Sequence, residues 1–211
     1  MLCFQIVTGS LRSGTRRIND ADFDDLKKKS ISSNKAQTAR RRTGENMLME
    51  FLHQYGMTIS EESKQPWDGN CWYNSLRYYL VQLDGNMTTN DIRQSTMAYF
   101  MENESEFIEM YTKDTQPDLE GQEKIAAFKQ DIARLKRPGV YQTQSSLCDM
   151  IPLAAARAFN VHLEVYDTSI PVVLHFGNTD NIRVIRVGKV RIGNEEHINA
   201  VVPFMTVTST P

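Results

Sequence analysis

Residues 67–73 read Trp67-Asp68-Gly69-Asn70-Cys71-Trp72-Tyr73. A loop containing Pro66 and Gly69 ends here, and an aromatic-rich apolar run, CWYNSLRYYLVQL over 71–83, begins. The run reads as a largely buried helix. A cysteine in its first turn meets unpaired backbone N–H groups and the positive end of the helix dipole, and both favour the thiolate. Gly69 frees the backbone to turn its N–H groups towards one point, and the Cys71 N–H adds another. A small loop, a thiol and a helix start, in that order, suit attack on a carbonyl carbon, with Gly69 and Asn70 as the oxyanion loop.

A thiol nucleophile needs a base that a third group orients. His197 is the best candidate, at the start of the last expected strand in Glu195-Glu196-His197-Ile198-Asn199-Ala200-Val201-Val202. The two-residue period of a strand puts His197 and Asn199 on one face, where an amide oxygen can hold the second imidazole nitrogen. Cys71 and His197 are so distant in sequence that only the fold can unite them. The other histidines fit this role less well: His53 lies on an amphipathic helix, His162 and His175 on strands. Cys148, between Leu147 and Ile151 on an expected helix, reads as packing, and Cys3 as a bystander.

Working outward, Met47, Leu48, Phe51, Leu52 and Tyr55 recur at helical spacing before the loop, with Gly56 as a stop. Thr88-Thr89-Asn90 cap a helix whose apolar face is Ile92, Met97, Tyr99, Phe100 and Met101. A short helix is expected over 104–111 and a longer one over about 121–136, with Ile125, Phe128, Ile132 and Leu135 in register. Pro138-Gly139 breaks the chain. A helix over 147–159 tolerates Pro152 only in its first turn. From Val161 the period becomes two. Strands are expected over 161–166, 171–176, 181–186, 189–192 and 197–204, with Gly177, Gly188 and Gly193-Asn194 at turns. Helices followed by strands define an α+β domain with a mainly antiparallel sheet.

The 211 residues are 40% hydrophobic and 24% charged, which excludes the disordered and fibrous classes. No run approaches the roughly 18 apolar residues of a membrane span, and the N-terminus lacks a secretory pattern. Three cysteines with no CxxC pair argue against a disulfide framework and a structural zinc site. They suit a reducing compartment, and no metal ligand set is identified. Residues 1–45 hold ten Lys/Arg against five Asp/Glu, whereas 46–211 hold 14 against 21. Residues 1–44 are therefore expected to form a basic, flexible segment, irregular over 8–43 save for a transient helix near 21–29. The catalytic domain is expected over 45–205, and a tail over 206–211. The clusters Lys27-Lys28-Lys29 and Arg40-Arg41-Arg42 read first as solvated charge, with contact to nucleic acid or acidic membrane as alternatives that the absence of interleaved aromatics weakens.

Asp-Gly-Asn-Cys at 68–71, the segment 139–166, and His197-Ile198-Asn199-Ala200-Val201 together resemble the ovarian-tumour (OTU) family of cysteine proteases, from about Met47 to Pro203. The resemblance implies a papain-like α+β fold of OTU type, with helices flanking a mainly antiparallel sheet. It implies a deubiquitinase that hydrolyses the isopeptide bond between the C-terminal glycine of ubiquitin and a lysine. Cys71 would be the nucleophile, His197 the base and Asn199 the third member, with Asp68 organising the oxyanion loop. Trp72 reads first as core and second as a wall of the groove for the substrate's Gly-Gly tail. No metal or organic cofactor is implied. The partner would be ubiquitin, polyubiquitin chains or a ubiquitin-like modifier, met by a monomer in the cytoplasm, or in a host cytosol if the source is a pathogen. Three positions depart from the family pattern: Ile198 is usually aromatic, Asn199 is more often Asp, and Asn74 is often basic. None removes a catalytic group. A ubiquitin-binding module without catalysis, or a cysteine protease acting on a ubiquitin-like modifier, is the alternative.

Overall fold

Helix α1 (Asp20–His53) leads into a short strand β1 (Met57–Thr58), and the Ser60–Asn70 loop then delivers the chain to α2 (Cys71–Asp84). The computed structural model describes residues 20–114, 116–140, 145–193 and 195–204. Four further helices follow, α3 (Thr89–Glu102), α4 (Glu104–Met110), α5 (Gly121–Leu135) and α6 (Leu147–Ala158). The strands β2 (His162–Asp167), β3 (Val172–Phe176), β4 (Val184–Ile192), β5 (Glu195–Ala200) and β6 (Val202–Pro203) complete the order. The start of α3 is fixed by a capping box, in which the Thr88 hydroxyl accepts from the Asp91 N–H (3.1 Å) and the Asp91 carboxylate accepts from the Thr88 N–H (2.9 Å).

The main sheet runs β3-β2-β4-β5, and β6 leaves it to pair with β1. The β2–β3 and β4–β5 pairs are antiparallel and β2–β4 is parallel, so the sheet is mainly antiparallel, as the strand run implies. One face carries the larger core. There Trp72, Leu76, Phe100, Phe128 and Ile151 from the helices pack against Leu163, Val165, Ile185, Val187 and Ile198. The other face is covered by Leu48, Phe51 and Leu52 of α1 against Tyr166, Val190 and Val201. With both faces covered, β2 is nearly buried throughout, and the polar face that its alternation suggests is largely enclosed.

Three local expectations are corrected. Residues 20–43 are helical rather than irregular: the stretch has no proline, and its Lys, Arg, Gln and Ala residues are good helix formers. Gly188 is not a turn; it lies within the continuous strand β4, where a Cβ would come within 3.0–3.1 Å of Val201 and Leu48 side-chain atoms. The glycine there admits α1, and close packing is its purpose. Pro152 falls in the second turn of α6, where it forgoes the bond to the Cys148 carbonyl. The chain divides into two units, one up to Arg40 and the other from Arg41. Cys3, residues 8–19 of the expected irregular segment and the 206–211 tail lie outside the described residues. Among the described residues, no helix is long and apolar enough to cross a membrane.

Candidate active site

The loop before Cys71 is shaped by its own side chains. The Asp68 carboxylate accepts from the Asn70 N–H at 2.8 Å, closing an Asx turn. Gly69 sits at φ +75°, and a Cβ there would lie 2.3 Å from the Gly139 carbonyl oxygen. Only glycine lets the loop lie against the 138–140 turn. The Asn70 side-chain oxygen accepts from the Gly139 N–H (2.9 Å) and from the Arg93 guanidinium (2.6 Å). Arg93 also donates to the carbonyls of Leu135 (2.9 Å) and Val140 (2.6 Å) and lies over the Tyr73 ring at 4.2 Å. It is 1% exposed. A buried guanidinium thus ties the Cys71 loop, α2, the end of α5 and the 138–140 turn into one network.

Cys71 opens α2 as expected, but its protonation departs from the expectation. Burial pushes the thiol above its ordinary value, and the nearby Asp68 charge adds to this, while the backbone at Ile198, Trp72 and Cys71 itself pulls it down. The helix start does favour the thiolate, yet desolvation is larger. The start of α2 meets β5 at Ile198, one residue from His197. Ser75 fastens the same junction, donating from its hydroxyl to the carbonyls of Cys71 (2.7 Å) and Ile198 (3.3 Å).

His197 and Asn199 are both fully buried. Neither ring nitrogen of His197 has a hydrogen-bond partner among the described residues, nor has Nδ2 of Asn199. The Asn199 oxygen accepts from the Gln65 N–H at 2.8 Å, so the loop backbone shares the acceptor expected for the imidazole, while the Asn199 side chain still favours the protonated ring. What holds the imidazole is Trp67, stacked on it with ring centroids 4.0 Å apart and planes within 9°. The Arg41 guanidinium lies over the same indole at 4.7 Å. Glu45 accepts from Trp67 Nε1 (3.3 Å) and pairs with Lys64 (3.1 Å). Burial raises the Glu45 carboxyl, but its bonds to Lys64 and Trp67 outweigh that and hold it below the ordinary value. For His197 burial dominates. Despite Glu45 and the Asn199 amide, the ring is pushed down to about 4, with Arg41 and Lys64 assisting.

Two expectations shift in emphasis. Trp72 is 1% exposed and packs in the main core, so it is not a groove wall. Ile198, the position usually aromatic in the family resembled, also points into that core; the aromatic beside the imidazole is Trp67, from the loop. Asn74 accepts from the Thr89 hydroxyl at 2.7 Å and fastens α2 to the start of α3.

The chain matches no protein-family model and no curated protein. Its fold does match solved structures. The OTU domain of OTUD1 aligns with a TM-score of 0.52 at 18% identity, over 79% of this chain and 99% of that one. An OTU deubiquitinase from Wolbachia pipientis wMel aligns with a TM-score of 0.51 at 12% identity, over 71% of this chain and 90% of that one. The chain therefore has the OTU fold.

Proposed function

We propose that the protein is a cysteine-type deubiquitinase with Cys71 as nucleophile, His197 as base and Asn199 as its neighbour on β5. The observation that carries this reading is the meeting of α2 and β5 within an OTU fold, where the Ser75 hydroxyl joins the carbonyls of Cys71 and of Ile198, the neighbour of His197. One of the structures of like fold is described as a deubiquitinase.

With the thiol raised and the imidazole lowered, the pair rests as thiol and neutral imidazole rather than as an ion pair. In the proposed reaction the sulfur's proton passes to His197, and the thiolate attacks the carbonyl carbon of the isopeptide bond. The oxyanion collects backbone N–H groups at the start of α2. The imidazolium gives its proton to the departing lysine amine as the C–N bond breaks. Water, losing a proton to the same ring, then hydrolyses the thioester. Asn199 carries no charge, so it stabilises the imidazolium less than a carboxylate would.

A second reading, a ubiquitin-binding module without catalysis, is favoured by the absence of hydrogen bonds at His197 among the described residues. One assay separates the two. Ubiquitin bearing a C-terminal electrophile is expected to add one ubiquitin in mass to the wild type and none to Cys71→Ala. Folded wild-type protein that binds ubiquitin yet forms no adduct would establish the second reading.

A further inference from the structure

On the α1 side of the sheet, β2 carries His162 and Glu164 two residues apart, and β3 places His175 directly opposite Glu164. Alternation along β2 and the cross-strand register bring all three side chains to one face. His162 Nε2 lies 3.2 Å from His175 Nδ1 and 3.7 Å from a Glu164 oxygen. The three donor atoms all lie within 4.8 Å of one another. A tetrahedral zinc ion, bound at about 2.1 Å, spaces its ligand atoms by about 3.4 Å, which falls between the two contacts made by His162.

The carboxylate is already oriented for such a role. Its other oxygen accepts from Arg186 Nε on the neighbouring strand β4 (2.8 Å) and from the Tyr166 hydroxyl (3.1 Å). Those bonds turn Oε1 towards His162, as hydrogen-bonded neighbours commonly orient metal-ligating carboxylates. His162 is buried and Glu164 partly so, while His175 is exposed, which gives an ion a way in and leaves water for a fourth ligand. Two imidazoles and one carboxylate suit zinc or a similar transition ion rather than magnesium or calcium, which favour all-oxygen sets. The cysteines, on which a zinc reading of the sequence would rest, take no part.

We propose that His162, Glu164 and His175 form a zinc-type binding site that clips the edge strand β3 to β2. The site is separated from His197 by strand β4 and does not rest on the proposed hydrolase activity. Without the ion, the same atoms make one ring-to-ring hydrogen bond and a longer His162–Glu164 contact.

The test uses the full chain. Zn²⁺ is added after exhaustive chelation, and Co²⁺ serves as the spectroscopic substitute. Zn²⁺ at a hundredfold excess over Kd is expected to raise the thermal midpoint by about 5 °C, and Co²⁺ to give the visible absorption of a tetrahedral nitrogen/oxygen site. His175→Ala removes an exposed side chain, so its metal-free midpoint should stay within about 2 °C of wild type. It should bind Zn²⁺ at least tenfold more weakly, and Glu164→Gln should do likewise. No midpoint rise and no cobalt spectrum in the wild type would overturn the proposal. So would binding that neither substitution weakens, which would place the ion elsewhere on the chain.

Discussion

The loop carrying Cys71 is fixed by directional bonds: Asp68 to the Asn70 N–H, Asn70 to Gly139, and Arg93 to three separate oxygens. His197, on the facing strand, lies against that junction and is held by a stacked ring and by exclusion of water. Hydrogen bonds define a position and so suit the thiol, whose angle of attack matters. Stacking fixes a plane and leaves both ring nitrogens free, which suits a group that takes up and returns a proton.

Arg93→Ala breaks the nucleophile side of this comparison and should have the largest effect. It leaves the Asn70 side-chain oxygen and two carbonyls without their buried donor, a loss of about 3–5 kcal/mol by analogy with broken buried pairs. Arg93→Lys keeps the charge but cannot span the three acceptors as the planar fork does, so it should recover only part. Urea unfolding measures both. A loss below about 1 kcal/mol for Arg93→Ala would mean that the loop is held without it, by Asp68, Gly69 and the Asn70–Gly139 bond.

The imidazole side should answer to pH instead. His197 is lowered from 6.5 to about 4 in the folded chain, so the unfolded chain takes up the proton first as pH falls. Its contribution is fully present above about pH 6.5 and is lost as pH falls towards 4, by on the order of 3 kcal/mol. The difference in unfolding free energy between wild type and His197→Gln, followed from pH 7.5 to 4, isolates this group. A difference that stays flat over that range would show that the ring is not held neutral by burial.

Much of this was legible beforehand where one residue type has one physical use. Asp-Gly-Asn-Cys ahead of an apolar helix gives a loop, a helix start and a thiol, and His-x-Asn on a strand gives two side chains on one face. The α+β order followed from the change of period at Val161. What escaped depends on contacts distant in sequence. Gly188 reads as a turn residue until Leu48 and Val201 are packed over it. Trp67 reads as loop until it covers His197. Arg93 left a trace, since it falls on the buried face of α3 with Ile92, Thr96, Met97 and Phe100, but a charged residue there is read as exposed until its acceptors are known. Competition for the Asn199 oxygen by the Gln65 N–H has no signature in composition or period.

Trp67 is the residue through which the comparison is sharpened with least damage to the fold. It is only partly buried, so Trp67→Ala forfeits one stacked pair, the Arg41 contact and one hydrogen bond to Glu45, about 1–2 kcal/mol. Its effect on His197 should be larger than its effect on stability. With the indole gone, water reaches the ring, the desolvation that dominates the lowered value is relieved, and the imidazole should titrate well above 4, towards its ordinary range. Trp67→Phe keeps a stacked ring and loses only the Nε1 bond to Glu45, so it should leave the titration near the wild-type value. The His197 ring proton followed by NMR across pH 3.5–8 distinguishes the pair. If Trp67→Ala still titrates near 4, the low value comes from the packing of β5 itself, and stacking cannot be what sets the imidazole side apart from the hydrogen-bonded thiol side.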